Sequence, residues 1–223
     1  MIITIDGPTA SGKTTIARML AQKLGYYYLS SGLLFRGLAY ALVHDFFYTP
    51  EQLQNPREQD IKKAISQINY SYDAQNGEQL LINGKNIMQE LRSQAISQYS
   101  SIIATNAQIR SALAAAQHRI ADHHNLVAEG RDMGSIIFPH AKIKFFLTAS
   151  LDIRAARWQQ DQKAKGTEIS LDEARTEIKT RDERDANRAL APLCIPEGAI
   201  IIDDSDLDKQ QVLEEMVAQI FKN

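Results

Sequence analysis

Eight residues near the start of the chain, Gly7-Pro8-Thr9-Ala10-Ser11-Gly12-Lys13-Thr14, have the types and spacing to bind phosphate. They fit the pattern G-x-x-x-x-G-K-[ST]. The glycines let backbone amides turn inward around phosphate oxygens, and a helix starting behind them adds positive potential. Lys13 then reaches the β and γ phosphates of a nucleoside triphosphate. Thr14, followed by Thr15, places its hydroxyl on Mg²⁺. Kinases, ATPases, GTPases and switch proteins all use such a loop. What is done with the phosphates must therefore be read elsewhere in the chain.

Three stretches carry arginines that suit a second substrate: "SSGLLFR" (30–36), "EGRDMG" (129–134) and "RDERDANR" (181–188). In the last, Arg181, Arg184, Asp185 and Arg188 are spaced i, i+3, i+4, i+7, so a helix would put them on one face. Guanidinium groups so grouped grip phosphate oxygens in forked geometry. The competing reading is an exposed helix laced with ion pairs, because Asp182 and Glu183 stand beside them. Arg154 and Arg157, at i and i+3, carry the same two readings. "EGRDMG" follows an apolar run, and ligand sites of parallel sheets gather at the carboxyl edges of strands. There Glu129 is placed to order water around Mg²⁺, with Arg131 and Asp132 at the crevice. A structural turn is the alternative.

These groups need a scaffold. Ile2–Asp6, Leu126–Glu129, Ile143–Thr148 and Ala199–Asp203 are strand-like runs whose apolar content is continuous, as in strands covered on both faces. Tyr27–Leu29 reads as a short fifth strand. Helical stretches alternate with them; in the first, Ile16, Ala17, Leu20, Ala21 and Leu24 recur at helical spacing before Gly25. The fold class expected is α/β, an open parallel sheet with helices on both faces, like that of P-loop nucleoside triphosphate hydrolases. Pro50 to about Ile68 predicts an amphipathic helix, and Asn76-Gly77 and Asn83-Gly84 predict hairpin turns of type I′. An antiparallel sheet is foreign to a parallel core, so 45–90 reads as an insert. The charged helical stretch 150–188 reads as a lid, leaving 1–44, 91–149 and 189–223 as the core.

Bulk properties exclude several classes. The 223 residues carry a net charge of −2, which gives no bulk reason to bind nucleic acid or an anionic membrane. No apolar run approaches the roughly 20 residues of a membrane helix. Cys194 is the one cysteine, which excludes an internal disulfide and a multi-cysteine metal site and suits a cytoplasmic protein. A strand beginning at Ile2 leaves no room for a signal peptide. A monomer is expected, since no apolar stripe demands a partner. His123-His124, the run Tyr26 to Tyr28 and Cys194 read as structural.

The segments "IDGPTASGKTT", "SSGLLFRGLA", "LVAEGRDMGSIIFP", "KFFLTAS", "RDERDANRALAPL" and "AIIIDDSDL" come in an order and spacing that resemble bacterial cytidylate kinases, among the nucleoside monophosphate kinases. The resemblance runs over nearly the whole chain. It implies transfer of the γ-phosphoryl group of ATP, with Mg²⁺, to CMP or dCMP. It further implies that Ser31 and Arg36 contact the monophosphate nucleotide and that Ser101, Arg110 and Asp132 read cytosine. Arg131 and Arg188 would hold phosphate and act with Lys13 in catalysis. Arg181 and Asp185 would face the pentose, and Arg154 and Arg157 would belong to the lid over ATP. Three positions depart from the family pattern: Ser30 for Asp, Phe35 for Tyr and Trp158 for Arg. Ser30 removes a negative charge, Phe35 a hydroxyl and Trp158 a positive charge from the lid.

Overall fold

The continuous apolar runs fold as strands. A computed structural model describes residues 1–222, so Asn223, the end of the expected core segment, lies outside the described residues. The chain forms two compact units: Met1–Tyr26 together with the chain from Val127 on, and Tyr27–Leu126.

In the first unit, strands β1 (Ile2–Asp6), β6 (Leu126–Glu129), β7 (Ile143–Thr148) and β8 (Ile200–Asp203) lie in the order β6-β1-β7-β8. β1 runs parallel to β7 and β7 parallel to β8, with Ile5 opposite Phe145 and Leu147 opposite Ile202. Burial follows position. β6 and most of β1 are buried on both faces, whereas β8, at the edge, exposes Ile201. Helix α1 (Lys13–Leu24) follows β1 and buries Ile16, Ala17, Leu20 and Ala21, the apolar stripe its spacing predicts. Gly25 ends it in the left-handed region, as expected.

The charged stretch 150–188 is a helical hairpin. α6 (Leu151–Ala164) and α7 (Leu171–Ala186) share a small core of Ala155, Ala174 and Ile178, with Trp158 packed on it. Ser170 and Glu173 form a reciprocal capping box at the start of α7. α7 stops at Ala186, with Asn187 as its cap, so Arg188 lies past the helix. The expected single face of Arg181, Arg184, Asp185 and Arg188 is thereby corrected: Arg184 is exposed, while Asp185 is buried.

The second unit holds β2 (Tyr27–Ser30), α2 (Ser31–His44), α3 (Glu58–Gln67), an antiparallel sheet of β3 (Ile68–Asp73), β4 (Gly77–Ile82) and β5 (Lys85–Asn86), then α4 (Gln94–Ile103) and α5 (Ala107–Ala121). The helix predicted from Pro50 starts only at Glu58. Pro56 disfavours the helical region for the residue before it, and Asn55, at φ −138° and ψ 66°, lies outside that region. Both Asn-Gly pairs make turns, of two kinds. Asn83 (φ 51°) and Gly84 (φ 80°) have the two positive φ angles of type I′. At the other turn only Gly77 is positive, and the Asp73 carboxylate accepts from the N–H groups of Gln75 and Asn76. That is a three-residue loop with an Asx turn rather than type I′. The Tyr28 and Tyr70 side chains are buried, and the Tyr70 hydroxyl bridges Ser30 N–H and Tyr28 C=O. Of the run Tyr26 to Tyr28, Tyr28 is core and Tyr27 is a half-buried strand residue, while Tyr26 lies before the strand and is half-buried.

Candidate active site

The phosphate loop leaves β1 at Asp6 and enters α1 at Lys13. Gly7 cannot be another residue. Its φ is +151°, and a Cβ there would stand 2.0 Å from the Leu147 carbonyl oxygen. Gly12, in the left-handed region, caps α1, so the first helical N–H groups face the loop's interior. Lys13 turns into its own loop: Nζ donates to Pro8 O at 2.6 Å and Ser11 Oγ at 3.1 Å. Burial, with the neighbouring Arg131 charge, pushes the Lys13 amine well below its ordinary pKa. Glu129, Asp182 and Asp6 pull the other way. A bound anion beside the amine would favour its charged form. Thr14 Oγ1 donates to Glu129 Oε1 at 3.3 Å, so a hydroxyl and a buried carboxylate meet beside Lys13. Two oxygen donors of this kind fit Mg²⁺.

Arginines converge on this loop, each held by a carboxylate. Arg131 Nε donates to Asp185 at 3.0 Å and its Nη2 to Thr9 Oγ1 at 3.3 Å. Arg154 donates to Thr9 O at 3.1 Å and pairs with Asp182. Arg157 Nη1 donates to both carboxylate oxygens of Asp204 at 2.9 and 3.0 Å, and its Nη2 donates to Asp204 O at 3.3 Å. Burial alone would raise Asp185, but Arg131, Arg188 and Arg181 together hold its carboxyl below the ordinary value. Asp185 therefore gathers three of the expected phosphate and pentose residues. Arg188 also donates to Ala191 O at 2.8 Å.

Asp6 and Asp204 carry no motif in the sequence, and Asp182 stands there only as an ion-pair neighbour of the arginines; the structure pairs it with Arg154. Asp6 is fully buried and accepts from Met133 N–H at 2.8 Å and Gly134 N–H at 2.7 Å, fixing the segment that carries Arg131 and Asp132. A side chain at Gly134 would crowd Thr4 Oγ1 at 2.7 Å, so glycine permits this approach. The only sequence signal for Asp6 is an acid ending an apolar strand next to the loop. Burial pushes its carboxyl from 3.8 up to about 6, against the two N–H bonds, which lower it. The unfolded chain loses this proton first. The group thus adds stability that is complete below pH 3.8 and is lost as pH rises through about 6, about 3 kcal/mol in all. Urea unfolding of the wild type and Asp6→Asn at pH 4 and pH 7 is expected to show a smaller pH slope for the variant. Parallel slopes would remove this role of Asp6.

In the second unit, Arg110 is buried, donates to Ala104 O at 3.2 Å, and stacks 5.6 Å from the Phe35 ring centre. The residue that departs from the family's Tyr thus still supports an expected base-reading arginine. Ser30, the departure from Asp, caps α2 by accepting from Leu33 N–H at 3.4 Å, a role serine and aspartate share. Ser31 is buried at the first residue of that helix, with Arg36 further along it. Ser101 donates within its own helix to Ser97 O at 3.2 Å. Trp158 donates to Glu177 at 2.7 Å and packs in the α6–α7 hairpin, so it replaces charge with core. Among the described residues no group of three or more His, Cys, Asp or Glu side chains forms a metal cluster, and no helix is long and apolar enough to cross a membrane.

Parallel strands, a glycine loop running into a helix, and arginines gathered on that loop define a P-loop α/β protein. The fold is similar to that of an uncharacterized protein from Eubacterium ventriosum, with a TM-score of 0.55, 14% identity, and coverage of 100% of this chain and 99% of that one. Residues 3–222 match the family model of cytidylate kinases. The chain is 38% identical to a cytidylate kinase of Caldanaerobacter subterraneus over 99% of its length and 95% of that protein's. It is likewise 38% identical to one of Pseudomonas syringae pv. tomato, over 98% of this chain and 94% of that protein. This chain belongs to the cytidylate kinase family.

Proposed function

We propose that the protein transfers the γ-phosphoryl group of ATP to CMP or dCMP, giving CDP or dCDP and ADP. One observation carries the reading beyond family membership. Arg131 and Arg154 both bond to Thr9 of the phosphate loop while paired with carboxylates, so phosphate oxygens can take those carboxylates' place. A nucleoside monophosphate is largely dianionic at pH 7, its second pKa being about 6, and is already a nucleophile. No general base is needed. Catalysis is alignment and charge neutralisation by Lys13, Arg131 and Arg188, with Arg154 and Arg157 on the ATP side. Mg²⁺ bound with ATP would be held by Thr14, with Glu129 acting through water, and would neutralise charge on the transferring phosphates. The helical hairpin, 150–188, serves as the lid that excludes water, and 45–90 as the monophosphate-binding insert. The protein acts as a cytoplasmic monomer, a setting in which the exposed thiol of Cys194 stays reduced.

Ser31 and Arg36 contact the monophosphate nucleotide, and Arg181 with Asp185 faces the pentose. Ser101, Arg110 and Asp132 read the base. Cytosine has acceptors at O2 and N3 and a donor at N4, which suit a guanidinium and a carboxylate. Uracil inverts two of these groups and leaves a buried partner unpaired, at about 1–3 kcal/mol each, or roughly 5- to 150-fold in rate. Chromatography of products from ATP·Mg²⁺ with CMP, dCMP, UMP, AMP and dTMP tests the assignment, with CDP and dCDP expected to dominate. Asp132→Ala is expected to reduce CMP turnover far more than UMP turnover. Equal losses would remove Asp132 from base reading. Dominance of another monophosphate would discard the base-reading set, and ATP binding without any transfer would indicate a regulatory protein.

A further inference from the structure

Thr9 has all three of its polar groups engaged from distant parts of the chain. Its N–H donates to Asp182 Oδ1 at 2.8 Å, its carbonyl accepts from Arg154 at 3.1 Å, and its hydroxyl accepts from Arg131 at 3.3 Å. Asp182 sits on α7 and spends its other oxygen on Arg154. Arg154 is also fixed through Nε to Ala149 O at 3.0 Å. Among the described residues its Nη2 has no protein partner, so one arm of the fork is left for a ligand.

We propose that Asp182 is a positioning residue for phosphoryl transfer: its carboxylate ties Arg154 to the phosphate loop through Thr9. The inference rests on the reading of Arg154 as a ligand of the ATP phosphates. A free arginine side chain samples many rotamers, and that freedom must be lost before it can stabilise charge on a moving phosphoryl group. Asp182 removes that freedom in advance. Its place on the loop distinguishes positioning from obstruction. The free helical N–H groups begin at the Gly12–Lys13 end, whereas Asp182 takes the amide of Thr9, three residues before Gly12, and leaves those groups open. Its charge also favours the ammonium form of Lys13.

The test is a double-mutant cycle of Asp182→Ala and Arg154→Ala, with Asp182→Asn as a second variant. It reads kcat and the KM for ATP and CMP, together with the unfolding midpoint and the emission of Trp158, the chain's one tryptophan. Asp182→Ala is expected to lower kcat about 10- to 100-fold with little change in KM for CMP. Asp182→Asn keeps an acceptor for Thr9 N–H but loses the charge that holds Arg154, so a similar loss is expected. The double variant should be no worse than Arg154→Ala alone. A residue that only stabilises the fold would lower the midpoint and leave kcat unchanged. If Arg154→Ala lowers turnover while both Asp182 variants stay within about twofold of wild type, or if the losses multiply, the inference fails by itself. If Arg154→Ala leaves the ATP parameters unchanged, the reading of Arg154 fails and takes the inference with it.

Discussion

Lys13→Met is expected to lower kcat by about 10³-fold or more while leaving the protein at least as stable as the wild type. Loss of activity follows from what the ammonium is for. A charge in a buried loop acts on the transferring phosphoryl group far more strongly than one in water, and methionine supplies none. The stability outcome follows from how the ligand-free protein holds the amine. Lys13 is buried, its bonds go to Pro8 O and Ser11 Oγ, and burial lowers its pKa. The unfolded chain, whose lysines titrate near 10.5, binds that proton more readily. Wild-type stability therefore rises with pH toward 10.5 on account of this group, and Lys13 weakens the fold most on the acid side of that window. Initial rates at saturating ATP and CMP, with unfolding midpoints at pH 7 and 9, check both halves. A variant that is clearly less stable at pH 7 than at pH 9, relative to wild type, would contradict this account. So would one with turnover within tenfold of wild type.

Arg131→Ala is expected to lower kcat/KM for CMP by about 10²- to 10³-fold and, unlike the lysine change, to weaken the fold by about 1–2 kcal/mol at pH 7. Two losses combine. The guanidinium would no longer reach substrate phosphate, and the Asp185 carboxylate, whose side chain is 13% exposed, would lose its bonded partner. In the wild type, Arg131, Arg188 and Arg181 outweigh burial, so Asp185 contributes stability that is present above the unfolded value of 3.8 and lost as pH falls below it. Without Arg131 the burial effect regains ground and the carboxyl moves up. The stability gap between variant and wild type is therefore widest at neutral pH and closes toward pH 3. Arg131→Lys keeps a charge but not the fork, and is expected to recover stability more than turnover. A gap independent of pH would show that Asp185 does not depend on Arg131.

What could be read from the sequence is what depends on residues near one another along it. The phosphate loop occupies eight consecutive positions, and the strand before it and the helix after it are set by local apolar spacing, so loop, strand and helix all appear where expected. The strands from Leu126, Ile143 and Ile200 follow from their continuous apolar runs: the first is buried along its whole length, the second is buried or half-buried throughout, and the third keeps an apolar run although its edge position exposes Ile201. Local arguments fail where one residue breaks a pattern. Pro56 delays α3 to Glu58, and the end of α7 at Ala186 separates Arg188 from the helical face its spacing suggests.

The carboxylates are a different matter. Asp182 reaches Thr9 across 173 positions and Asp6 reaches Met133 across 127. A chain with 27 acidic residues gives no local sign of which ones will be buried against the loop. In the sequence, Asp182 has the same standing as Glu183 beside it, yet one bonds the phosphate loop and the other is exposed. By itself the sequence determined the fold class, the phosphate loop and the arginines from which a second site can be built. Which carboxylate holds which arginine was decided only by the tertiary structure. Pairing depends on distance through space and on burial, and both arise only once strands and helices from opposite ends of the chain have packed together.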